Sequence, residues 1–114
     1  QRNRYTMYIT LTNDNFDREV LESSLPMVVF FEAPWSGACQ IVAPIISTIA
    51  SEFSNGVKVG RLDTDVHSET AMSYGIFRLP TMLFFQRGEV VDHLTGVISR
   101  EDLTIRLDAL LKDH

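Results

Sequence analysis

The spacing of apolar positions changes several times along the chain, and each change marks an element. Residues 1–7 are mostly polar and are expected to form a flexible N-terminal segment ahead of one domain spanning residues 8–114. Tyr8–Leu11 is a short β-rich run. Thr12 or Asn13 can then cap a helix whose apolar positions, Phe16, Val20 and Leu21, recur at helical spacing. After Pro26 the run Met27–Glu32 is apolar without alternation, the pattern of a central strand covered on both faces. A loop over Ala33–Ala38 leads into a long helical pattern from Ser36 to Phe53. Its apolar face includes Ile41, Val42, Ile45, Ile46, Ile49 and Ala50, with Pro44 inside it. Asn55-Gly56 is a stop signal. Val57–Leu62 reads as a second buried strand, and Ser68–Tyr74 as a short helix stopped by Gly75. Thr81–Phe85 and Glu89–Leu94 flank Gln86-Arg87-Gly88, a hairpin signature. Ser99 with Asp102 three residues on opens a last helix that runs to Lys112, with Leu103, Leu107, Leu110 and Leu111 facing inward.

The predicted order is β-α-β-α-β-α-β-β-α. Strands alternating with helices pair in parallel through right-handed crossovers, and the closing hairpin adds an antiparallel edge. The fold class is therefore α/β, with a mixed central sheet of about five strands and four helices on both faces.

Composition narrows the function. A chain of 114 residues is one domain by size and needs no metal or disulfide staple to fold. Its 10 basic and 15 acidic residues leave a net charge of −5, and the cations are scattered, so no nucleic-acid partner is expected. The longest uninterrupted apolar stretch, Met27–Phe31, is far short of the roughly 20 residues that span a bilayer, so no membrane partner is expected either. Gln1–Arg4 carry neither a start Met nor a hydrophobic signal core, which fits a processed or trimmed chain. One cysteine excludes a disulfide within the chain, a multi-cysteine zinc site and a reaction cycle needing two thiols of its own. His67, His93 and His114 make no ligand spacing with Cys39 and read as surface residues, so no metal and no cofactor are expected. A single unpaired thiol suits a reducing, cytoplasmic setting.

Strand, then Ala33-Pro34-Trp35-Ser36-Gly37-Ala38-Cys39, then helix: here the sequence resembles the thioredoxin family, whose usual motif is Trp-Cys-Gly-Pro-Cys at a helix start. The resemblance runs without a gap from about Ile9 to Leu111. It includes Phe16-Asp17, Pro44, Asp65, Tyr74-Gly75-Ile76, Leu79-Pro80-Thr81, Phe85, Gly88-Glu89-Val90 and Gly96. It implies the thioredoxin fold and a cis peptide between Leu79 and Pro80. It also implies a groove for an extended peptide made by Trp35, Gly37, Ala38, Leu79, Pro80, Thr95, Gly96 and Val97, on a monomeric protein.

The family reaction is thiol–disulfide exchange. A thiolate at the first motif position attacks a substrate disulfide, and the second cysteine resolves the mixed disulfide. Here the first position is Ser36, whose hydroxyl forms no disulfide, and Cys39 holds the second position. Other departures cluster beside it. Phe30 stands where the family often has a buried Asp beneath the second cysteine, Glu32 stands at a commonly aromatic position, and Arg61 matches a Lys that often neighbours that Asp. Phe30 and Glu32, two apart on a strand, face the same side of the sheet and would tune the site. Bland readings stand beside these. Ser36 is a good helix N-cap, Cys39 a buried inert thiol, Trp35 an aromatic packed on its loop, and Glu32 a strand-end carboxylate reaching solvent.

Three functions follow from the resemblance. The first is a thioredoxin-like redox-homeostasis protein with its dithiol reductase cycle disabled and its peptide groove kept. The second is a dithiol disulfide oxidoreductase in which Ser was substituted for the first cysteine. The third is a single-thiol switch or enzyme using Cys39. The added departures at Phe30, Glu32 and Ala38 favour the first and third, since a deliberate silencing would change one residue.

Overall fold

The computed structural model describes residues 8–53 and 56–112, so the expectations for residues 1–7, Asn55 and His114 lie outside the described residues. Its elements are strand β1 (Ile9–Leu11), a single π-helical turn (Asp17–Leu21), β2 (Met27–Glu32), helix α1 (Gly37–Glu52), β3 (Lys58–Asp63), α2 (Ser68–Ser73), the hairpin β4 (Thr81–Gln86) and β5 (Glu89–Thr95), and α3 (Arg100–Lys112). They form one five-stranded sheet in the order β1-β3-β2-β4-β5. β1 and β2 both run parallel to β3, and β4 runs antiparallel to β2 and to β5.

β2 lies at the centre because its sequence can be buried on both faces. Val28 and Phe30 enter a cluster with Val42, Ile46 and Ile49 of α1 and Leu103 and Leu107 of α3. Met27, Val29 and Phe31 enter a second cluster on the other face, with Phe16, Val20 of the π-helical turn and Ala71 of α2. Helices thus cover both faces, as the alternation of elements requires. On the second face the Tyr74 ring packs against Phe16 and Phe85, with centroids 5.5 and 5.6 Å away. Burial, and then the charge of Asp17, raise the Tyr74 phenol above its ordinary value.

The first helix differs from expectation. It spans five residues, starts at Phe16 without a side-chain cap and is closed by the Glu22 N–H donating to the Asp17 carbonyl at 3.0 Å. Thr12 and Asn15 instead satisfy each other: the Thr12 N–H donates to Asn15 Oδ1 at 2.7 Å, and the Asn15 N–H donates to Thr12 Oγ1 at 3.0 Å. Asn13 caps a different helix. Its Oδ1 accepts from the backbone N–H of Thr70 in α2 at 3.1 Å and from the Thr70 hydroxyl at 2.6 Å. His67, half-buried at the surface, accepts the Asn13 N–H on its Nδ1 at 3.1 Å.

Two glycines are dictated by geometry. The two-residue hairpin turn puts Arg87 and Gly88 at φ 53° and 80°, the paired left-handed conformation that suits the twist of a hairpin. Gly60 in β3 has an ordinary φ, but a Cβ there would sit 2.5 Å from Leu11 Cδ1 and 2.7 Å from Met27 Cε, both in the packed core.

Candidate functional site

After Glu32 the chain leaves the sheet and turns into α1, with the Ser36 N–H donating to the Ala33 carbonyl at 3.2 Å. Ser36 is extended, and its Oγ accepts the Cys39 N–H at 3.2 Å. This satisfies one of the amides that a helix start leaves unpaired. Cys39 is buried, at 2% exposed, while Gly37 is open to solvent and Ala38 half-buried. The Gln40 side chain donates to the Pro34 carbonyl at 3.1 Å and ties the loop to the helix. Trp35 projects outward, 68% exposed, with its indole N–H donating to Asp65 Oδ1 at 3.2 Å. Asp65 comes from the turn after β3, which ends beside β2 through the pairing of Glu32 with Asp63.

The same register brings the other predicted groove residues to this edge of the sheet. Phe31 of β2 pairs with Thr81 of β4, and Thr81 pairs with Thr95 of β5. The segments just outside those residues, Leu79-Pro80 and Gly96-Val97, therefore flank the motif. The Leu79–Pro80 bond is cis, and the Pro80 carbonyl accepts the Gly96 N–H at 2.8 Å. Gly96 sits at φ 91°, where a side chain would be strained. Leu79 is half-buried, whereas Thr95 and Val97 are exposed.

Beneath the edge, Phe30 is fully buried on the α1 side of the sheet. Glu32 does not reach freely into solvent, which corrects the strand-end reading. Both its carboxylate oxygens accept from Arg61, at 2.7 Å from Nε and 2.7 Å from Nη2, in a half-buried pair. Arg61 pairs in register with Phe30, so Glu32 two residues on is the next carboxylate on that face within its reach. The guanidinium also lies over the Tyr8 ring at 4.7 Å from its centroid, and 5.7 Å from that of Phe30. Its hydrogen bonds to Glu32 hold the Arg61 charge firmly on, outweighing burial. The carboxylate–cation pair near the motif is thus carried by positions 32 and 61, with the fully apolar Phe30 between them and the core.

Chemically, this site has a hydroxyl at a helix start and a buried thiol one turn on. Among the described residues, no imidazole or carboxylate hydrogen-bonds to the Ser36 hydroxyl, so nothing there makes it a nucleophile. Among the same residues, no three metal-binding side chains converge on one point. Also among them, no helix is long and apolar enough to cross a membrane.

Residues 7–109 match the thioredoxin family profile. The chain belongs to the thioredoxin family. It is 42% identical over 98 residues to Thioredoxin 1 of Synechococcus elongatus, covering 86% of this chain and 92% of that one. It is 38% identical over 101 residues to a Thioredoxin of Synechocystis, covering 89% and 94%. It is also 38% identical over 101 residues to Thioredoxin M-type, chloroplastic, of Pisum sativum, covering 88% of this chain and 59% of that one. The fold expected from the sequence is therefore the thioredoxin fold, and the protein is thioredoxin-like. Three features of this thioredoxin-family edge escape sequence reasoning: the Trp35–Asp65 bond, the bidentate Glu32–Arg61 pair and the Tyr8 platform. Each joins residues far apart in sequence, and only the strand register sets their distance. The spacing of two between Phe30 and Glu32, with a cation on the adjacent strand, was the one signal for the second.

Proposed function

We propose that this chain is a thioredoxin-type protein in which the dithiol reductase cycle is disabled at position 36 and the groove beside the motif is kept for binding an extended polypeptide. The observation that carries the reading is the Ser36 side chain itself. Its oxygen occupies the helix-start position where the family places the attacking thiol, and it acts there as a cap for the Cys39 N–H.

Exchange needs a thiolate to attack a substrate sulfur, followed by a second thiolate to resolve the mixed disulfide. A hydroxyl can do neither, and Cys39, the chain's one cysteine, is buried. Its burial argues against a single-thiol switch in the folded protein. The groove is another matter. Exposed Trp35 and Val97, the backbone at Leu79-Pro80 and the fixed turn at Gly96 form a preorganised edge, with large apolar side chains of the kind that anchor binding. The partner is a protein or peptide, bound by a monomeric domain in a reducing, cytoplasmic setting.

The experiment is insulin reduction with a dithiol reductant. The protein is expected to add no rate above the reductant alone at any concentration. Turnover that rises with protein concentration would overturn the reading.

A further inference from the structure

A pocket of about 310 Å³ opens on the sheet face opposite α1, between the segment that follows α2 and the β4–β5 hairpin. Ile76 and Leu83 make its floor, Phe77 and Arg78 one wall, and His93 and Thr95 the other. Three features set it apart from ordinary surface. First, Phe77 stands at its rim 87% exposed, a large aromatic ring left in water. Second, the charged or basic groups lining it are Arg78 and His93, with no carboxylate among the lining residues, on a chain whose net charge is −5. Of the nearby acids, Asp92 pairs with Arg106 at 2.5 Å. Asp17 acts on the phenol of Tyr74, which also lines the pocket, so the cationic part of the site is the part made by Arg78 and His93. Among the described residues the Arg78 side chain has no ion-pair partner. Third, one wall is β5, the edge strand of the sheet, whose outer backbone groups have no neighbouring strand among the described residues.

We infer that this pocket is a second docking site, bordering the groove at Pro80 and sharing Thr95 with it, for an acidic polypeptide segment with an apolar side chain beside its carboxylate. The apolar side chain fills the floor over Ile76 and Leu83, and the carboxylate meets Arg78 and His93. Charge complementarity selects the anion. The breadth of the surface selects a polypeptide: a small molecule seated on the floor leaves the Phe77 ring in water, whereas a chain that runs from the floor over the rim covers it.

The test is a titration of the isotope-labelled protein with two synthetic peptides, Ac-Gly-Phe-Glu-Leu-Asp-Gly-NH2 and its counterpart with Lys in place of Glu and Asp, read from backbone amide shifts. The acidic peptide is expected to shift Ile76, Phe77, Arg78 and His93 saturably, with a dissociation constant of about 1 mM or tighter. Arg78→Glu is expected to weaken it about tenfold or more, as reversal of a contacting charge does. Phe77→Ser is expected to weaken it as well. Both residues are exposed, and retained amide dispersion confirms that the variants fold. Equal binding of the two peptides, no saturable shift, or undiminished binding by Arg78→Glu overturns the inference. Shifts confined to Trp35, Gly37 and Gly96 also overturn it, while supporting the groove proposed above. Shifts at Phe77 that follow protein concentration alone overturn it in favour of a second copy. Saturation by phenylacetate as tight as by the peptide overturns it in favour of a small molecule.

Discussion

Ser36→Cys is expected to let the chain close a disulfide between positions 36 and 39 and reduce insulin catalytically. The geometry is already in place. The position-36 side chain points at the Cys39 backbone amide from the first turn of a 16-residue helix, where unpaired N–H groups and the helix dipole favour an anion. A thiol there ionises more readily than a free one, and the thiolate is the attacking species. Residues three apart at a helix start are close enough to bridge. The reduced variant should be less stable by about 1 kcal/mol, because sulfur is a poorer acceptor for the Cys39 N–H than the hydroxyl. Turnover should exceed the reductant background by at least about tenfold, since the missing step is the one restored. Mass spectrometry of the oxidised variant should show a loss of two hydrogens that the parent chain never shows. A variant that stays fully reduced under mild oxidant, or oxidises but gives no turnover, would mean that the surrounding departures have disabled the site beyond position 36.

Phe30→Asp tests those departures from the other side. It places a carboxylate where the family often carries one. Phe30 is fully buried among Val42, Ile46 and Phe84, so removing the ring costs about 3–5 kcal/mol before any charge is counted. The new carboxylate then loses its water, and the nearest cation, Arg61, already gives two hydrogen bonds to Glu32. The sum is comparable to the whole stability of a small domain, about 5–15 kcal/mol. The variant is expected to be largely unfolded, or to melt tens of degrees lower, about 4 °C or more per kcal/mol. Far-ultraviolet dichroism against urea measures it, with Phe30→Leu as the control that should lose less than about 1.5 kcal/mol. Cooperative unfolding of Phe30→Asp within about 2 kcal/mol of the parent would instead mean that Arg61 swings from Glu32 to the new carboxylate, an exchange of partners of the kind that keeps a buried charge compensated.

Elements with a repeating pattern were legible in the sequence. The unbroken Met27–Phe31 run placed β2 at the centre, and the 3–4 spacing from Val42 to Ala50 gave α1 its buried face. The turn residues at Arg87-Gly88 marked the hairpin. The π-helical turn at Asp17–Leu21 was not legible as such, because Phe16, Val20 and Leu21 fit any helix. What shortens it is the pairing of Thr12 with Asn15 and the diversion of Asn13 to α2. The motif and its missing first cysteine were legible because they are contiguous. The sequence leaves Glu32 open between tuning the site and reaching solvent because the partner that holds it, Arg61, lies 29 residues away on a neighbouring strand. The pocket beside Phe77 gave no signal at all, since its walls are assembled from three separate segments.

β2 has a hydrogen-bonded neighbour on each side and a packed cluster on each face, and its strand runs straight into the loop that leads to the buried Cys39. Segments held in that way open only when the whole domain opens. The buried sulfur then serves as a timekeeper. With a thiol reagent concentrated enough to react faster than the chain refolds, Cys39 should be modified at the unfolding rate extrapolated from urea jumps, independently of reagent concentration. A plateau faster than that unfolding rate would betray a local breathing of the loop. Because the chain has a single thiol, one absorbance trace would report the lifetime of the entire native state.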